Sequence, residues 1–281
     1  KTNGLAARGP EERAGDRTMR TLVDDVKEHI RAGSVLRPPY DAPFAMELAF
    51  TETYRRHMAA HPAALELECL RVIYPACFRD VEEGDLLVGR VIRGGVGFAP
   101  EGRCVGYYCM EEVIRQAMET APLSPERQRA ITEMLDFWRQ ENTQTRLRSS
   151  YPRWMRQRLP SDDWVEERGV AFPLYRIAGT QLDYAKLLAL GIPGLKALLA
   201  EKLDGAPDAE AAALYRAMLG GLDLLAACMA DYRVRCEERL CQTTDAGHRA
   251  ALERIVATLG RLPDHAPDSF HEATQLVWLY A

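Results

Sequence analysis

A chain of 281 residues is long enough to bury one large core or two smaller ones, and its composition, 47% apolar and 27% charged, is that of an ordinary globular protein. The net charge of −5, with both signs interspersed and no basic block standing apart from acids, argues against a nucleic-acid partner. No apolar run approaches the length of a membrane span and no charged-then-apolar signal segment opens the chain, so the expected compartment is the cytoplasm.

Residues 1–18 are polar and without apolar period, and read as a disordered leader ahead of one region, 19–281. Leu22, Val26 and Ile30 predict a short amphipathic helix over Met19–Arg31, followed by a proline-rich extended arm over Arg37–Pro43. Met46, Phe50, Tyr54 and Met58 recur every four residues and predict a helix; Pro62 starts another, carried on by Leu65, Cys69, Val72, Ile73 and Cys77. Glu82-Glu83-Gly84-Asp85 is turn chemistry, and the unbroken β-branched run Leu86–Ile92, closed by Gly94 and Gly95, predicts a buried strand. A loop over Gly97–Gly102 leads towards a helix over Glu111–Glu119.

Ser124-Pro125-Glu126 combines a side-chain cap, a first-turn proline and a first-turn acid, and predicts a helix burying Ile131, Met134, Leu135 and Trp138. From Thr143 to Arg168 arginines mix with Trp154 and Trp164. An anion platform is one reading; a solvated helical hairpin with anchoring tryptophans is preferred, because Asp162, Asp163, Glu166 and Glu167 sit alongside. Asp183 is placed to cap a helix with Leu187, Leu188 and Leu190 inward, broken by Gly191 and Pro193.

Ala209–Leu240 predicts a single helix about 45 Å long, with a stripe through Ala211, Leu214, Met218, Leu222, Leu225, Met229, Tyr232, Cys236 and Leu240. Gly220-Gly221 in its middle predicts close packing by another element. A shorter helix over Gly247–Leu259 pairs back through Leu252, Ile255 and Leu259. Asp268 reads as the cap of a last helix with Phe270, Ala273, Val277 and Tyr280 inward, and His271 as a first-turn surface residue rather than a catalytic base. The sequence stops inside that apolar pattern, which predicts a fragment. The seven cysteines lack paired zinc spacing and the six histidines do not cluster with them, so free thiols are expected and no metal.

Three stretches together resemble the glycyl radical enzymes, the pyruvate formate-lyase-like family. The first carries Tyr54-Arg55-Arg56, His61-Pro62, Leu70-Arg71, Asp85-Leu86-Leu87-Val88-Gly89 and Pro100-Glu101. The second is Phe172–Leu199, where Asp183-Tyr184 opens a helix, and the third runs from Leu262-Pro263 through Phe270-His271-Glu272-Ala273-Thr274-Gln275. The resemblance implies a mainly α chain, the helical N-terminal portion of an enzyme built round an α/β barrel.

It also implies the chemistry of the parent: a radical C–C, C–O or C–N lyase or dehydratase of anaerobic metabolism acting on a small organic substrate. The parent would be a homodimer, with its glycyl radical installed by an S-adenosylmethionine-dependent iron–sulfur activating enzyme. In the family the radical glycine and thiyl cysteine lie downstream of this region, so no residue here is assigned a catalytic role and the chain alone is expected to be inactive. Four residues before Asp183, where diol dehydratases carry a histidine and pyruvate formate-lyase an arginine, stands Gly179. Gly179, Thr180 and Arg176 are the expected substrate-binding residues, with Gly179 either a pocket floor or simply a backbone requirement of the loop. The alternative in a different class is a non-catalytic helical interaction domain; the absence of any 20–50-residue repeat argues against a solenoid.

Overall fold

Two apolar cores share one helix. The computed structural model describes residues 43–76, 78, 80–89, 109, 111–158 and 182–280, all within the unit Arg37–Ala281. The predicted leader, the Met19–Arg31 helix, most of the proline-rich arm, the residues from Arg90 to Ile92 and the 97–102 loop lie outside the described residues. Among those described the helices are α1 (Ala45–His57), α2 (Pro62–Ala76), α3 (Glu111–Thr120), α4 (Pro125–Glu141), α5 (Thr143–Ser150), α6 (Arg153–Arg156), α7 (Tyr184–Asp204), α8 (Ala209–Gln242), α9 (Ala246–Arg261) and α10 (Phe270–Tyr280).

The first core is built on α1, α2, α3 and α4 around Trp138, which is 1% exposed. Its indole stacks on Phe50 at 5.6 Å between centroids and tilts against Tyr54 at 4.9 Å. Burial of the indole N–H demands an acceptor: Nε1 donates to Thr51 Oγ1 at 2.8 Å, and the Thr51 hydroxyl donates to the Glu47 carbonyl at 2.7 Å. Ile131, Met134 and Leu135 are buried as predicted. Ser124 accepts from the Arg127 amide, so α4 starts where its cap and proline place it. Met58 departs from its stripe. It lies just past the end of α1 and is 44% exposed.

The second core gathers α7, α8, α9 and α10 with Phe78, Val81 and Val88. α2 belongs to both, because its two faces carry different apolar sets. Leu65, Cys69, Val72 and Ile73 face the first core, while Tyr74 packs against the second and Leu67 meets Gly220 of α8. A side chain at Gly220 would sit 2.4 Å from Leu67, whereas Gly221 faces open space, so one glycine of the predicted pair carries the close approach.

That approach also explains a departure along α8. The predicted stripe holds from Leu222 to Cys236, but Leu214 and Met218 are 43% and 48% exposed. The inward row before Gly220 runs instead through Ala212, Tyr215 and Leu219. Against the expectation that no apolar run approaches the length of a membrane span, α8 is long and apolar enough to cross one by length and composition. It packs against α2, α7 and α9, the position of a core helix.

Leu86–Ile92 is not a strand where it is described. Residues 86–88 form a bend, Leu86 is 66% exposed, and only isolated bridge residues occur among the described residues, at Phe78 and Cys109. Farther along, Trp154 is 62% exposed, against its predicted anchoring role; Trp164 lies outside the described residues.

α7 breaks at Gly191, whose φ of 59° and ψ of −171° are open to glycine alone. A Cβ there would stand 2.7 Å from the Ala266 Cα, in the turn before α10. Gly191→Ala is therefore expected to destabilise the chain by about 1–3 kcal/mol. Gly221→Ala, in helical backbone with open space, should be neutral or stabilising by up to about 1 kcal/mol. Urea unfolding of the two variants checks the contrast, and equal effects would contradict it.

Candidate functional site

The three family-like stretches meet at α10 and the turn that leads into it. The start of α10 is set by Ser269, not by Asp268 as the sequence reading had it. The Ser269 hydroxyl accepts from the Glu272 amide at 3.2 Å, and the Glu272 carboxylate reaches back to the Asp268 amide at 2.9 Å. The sequence Ser269-Phe270-His271-Glu272 is that of a capping box, with the carboxylate reaching one residue farther back than the cap's own amide. Asp268 is used elsewhere, against Arg261 at 2.6 Å.

Arg261, at the end of α9, forks onto the same carboxylate, with Nε donating to Glu272 Oε1 at 2.8 Å and Nη2 to Oε2 at 3.3 Å. Nη2 also donates to the Ala266 carbonyl at 3.2 Å. One guanidinium thereby ties α9, the turn and α10 together. The hydrogen bond from Arg261 is the main reason the Glu272 carboxyl is held below the ordinary glutamate value.

His271, Gln275 and Trp278 follow at four and then three residues, one helical row. They meet the backbone of residues 86–89. Gln275, fully buried, accepts from the Val88 amide through Oε1 at 2.9 Å and donates through Nε2 to the Val88 carbonyl at 3.0 Å. A strand neighbour would make the same two bonds. Trp278 Nε1 donates to the Gly89 carbonyl at 2.8 Å.

His271 Nε2 lies 2.9 Å from the Leu86 carbonyl, which can only accept, so Nε2 carries the proton. In the neutral ring Nδ1 then accepts from the Thr258 hydroxyl at 3.0 Å. His271 is thus a structural bridge, and its partners are what the surface reading missed. Tyr74 of α2 closes the far end of α10 by donating to the Leu279 carbonyl. Gly89, at φ 90°, lets Leu279 approach where a side chain would collide.

The buried face of α10 is accordingly Glu272, Gln275, Leu276 and Leu279; of the predicted inward residues Val277 packs at the edge of the second core, whereas Phe270 and Tyr280 are exposed. Phe270 is 88% exposed, Trp278 49% and Tyr280 37%. The second family-like stretch joins through the contact of Gly191 with Ala266. Asp183 caps α7 by accepting from the Lys186 amide at 3.0 Å, as predicted.

Arg176, Gly179 and Thr180 lie outside the described residues, so the structure neither assembles nor separates the predicted substrate-binding set. The thiols divide more clearly. Cys69, Cys109, Cys228 and Cys236 are buried thiols, and Cys241 is an exposed one. Burial pushes Cys109 and Cys236 up to about 12 and Cys228 to about 11, which keeps them protonated and poor nucleophiles. Among the described residues no group of three or more His, Cys, Asp or Glu stands where a metal ion could be held.

A family model described as pyruvate formate lyase-like matches residues 17–281. No curated protein sequence matches the chain. Among solved structures it is similar to the glycerol-bound B12-independent glycerol dehydratase from Clostridium butyricum (TM-score 0.63, 17% identity, covering 83% of this chain and 30% of that one). It is also similar to a glycyl radical enzyme from Archaeoglobus fulgidus (0.60, 18%, 88% and 32%). A third is the hydroxyproline dehydratase from Clostridioides difficile with trans-4-hydroxy-L-proline bound (0.58, 19%, 85% and 31%). At these identities the likeness is one of fold, and the chain spans about a third of the length of these structures.

Two outcomes follow from the α10 contacts. Gln275→Ala leaves the buried Val88 amide and carbonyl without partners and should cost about 2–4 kcal/mol in urea unfolding; a change under about 0.5 kcal/mol would contradict the assignment. Glu272 has its folded value lowered, so its stabilisation is present above the ordinary value of 4.5 and fades as pH falls through the folded value. Glu272→Gln should therefore be less stable than the parent chain by about 1–2 kcal/mol at pH 7. The gap should narrow below about pH 4.5; a constant gap down to pH 2 would show that the charge is not the cause.

Proposed function

The chain belongs to the pyruvate formate lyase-like family, and from that premise we propose that it works as part of a glycyl radical lyase or dehydratase acting on a small organic substrate. The family match over residues 17–281 carries this reading, supported by the meeting, at α10 and the turn before it, of the three stretches that resemble these enzymes. In it the chain supplies helices that wrap an α/β barrel and part of one pocket wall. The radical is installed on a glycine by an S-adenosylmethionine-dependent iron–sulfur activating enzyme, the working unit is a homodimer, and the setting is anaerobic metabolism in the cytoplasm.

None of the chain's cysteines is proposed as the thiyl cysteine. Cys69, Cys109 and Cys236 belong to the two apolar cores and Cys228 is buried on α8, so their thiols are held away from a substrate. The chain, incubated anaerobically with a family-type activating enzyme and S-adenosylmethionine, should give no glycyl doublet in electron paramagnetic resonance. A doublet assigned to one of its own glycines would overturn this.

At the substrate, Gly179 removes the polar clamp that diol dehydratases and pyruvate formate-lyase place there. It would leave a roomier floor, with the Thr180 hydroxyl and the Arg176 charge as anchors. The substrate class proposed is accordingly bulkier, or differently anchored, than glycerol, propane-1,2-diol or pyruvate. A panel assay of the active enzyme containing this chain tests it: those three should turn over poorly, and turnover of any of them at rates on the order of 10 per second would sink the proposal.

A further inference from the structure

We draw no further inference here: the strongest candidate, the exposed aromatic side chains of α10, Phe270, Trp278 and Tyr280, with Leu86 at the start of that helix, carries nothing because nothing in the structure shows what covers them.

Discussion

A buried stretch of backbone without a strand beside it is the constraint that orders this structure. Val88 is 2% exposed, and its amide and carbonyl face away from water. An unpaired buried peptide group costs about 1–3 kcal/mol, so partners must be found within the protein. They are found on a helix. The Gln275 carboxamide supplies one acceptor and one donor at the spacing of a peptide unit, and Trp278 and His271 extend the row to Gly89 and Leu86. Once α10 is committed to this segment, much else is fixed. Tyr74 reaches the Leu279 carbonyl, Arg261 reaches Glu272, and the turn before α10 closes on Gly191.

The same commitment couples the two cores. α2 is apolar on opposite faces, a pattern that would be wasteful on a surface helix and is required of one shared between layers. Its Leu67 enters the gap at Gly220 while Cys69 and Ile73 fill the space around Phe50 and Trp138. The first core adds an electrostatic tie between α3 and α4. Arg139 grips Glu111 through Nε at 2.9 Å and Nη2 at 2.6 Å, and this hydrogen-bonded pairing holds the Glu111 carboxyl down to about 2.

Helices were legible where cap and period agree. Ser124-Pro125 gave the start of α4, and Asp183 that of α7. The run from Ala209 gave α8 to within two residues of its end at Gln242. The failures share a cause, which is that local chemistry has more than one use. Asp268 and Ser269 both suit a cap, and only the nearby Arg261 guanidinium decides that Asp268 is taken by an ion pair. Leu86–Val88 has strand composition, but with α10 supplying its hydrogen bonds it has no need of a strand. On α10 the reading took aromatic residues as inward, whereas the buried row contains Glu272 and Gln275, whose polar ends are satisfied by Arg261 and Val88. The spacing of His271, Gln275 and Trp278 was visible in the sequence; that their partner is backbone was not. The candidate substrate residues rest on the family resemblance, since Arg176, Gly179 and Thr180 lie outside the described residues.

Amide hydrogen exchange at Val88 tests the central claim most directly. If the Gln275 carboxamide stands in for a strand neighbour, this amide should be protected to a degree comparable with the amides of the middle turns of α8, and open only with global unfolding. Exchange at the rate of an exposed loop would show that residues 86–89 are not held on α10, and would remove the link by which the family-like stretches come together.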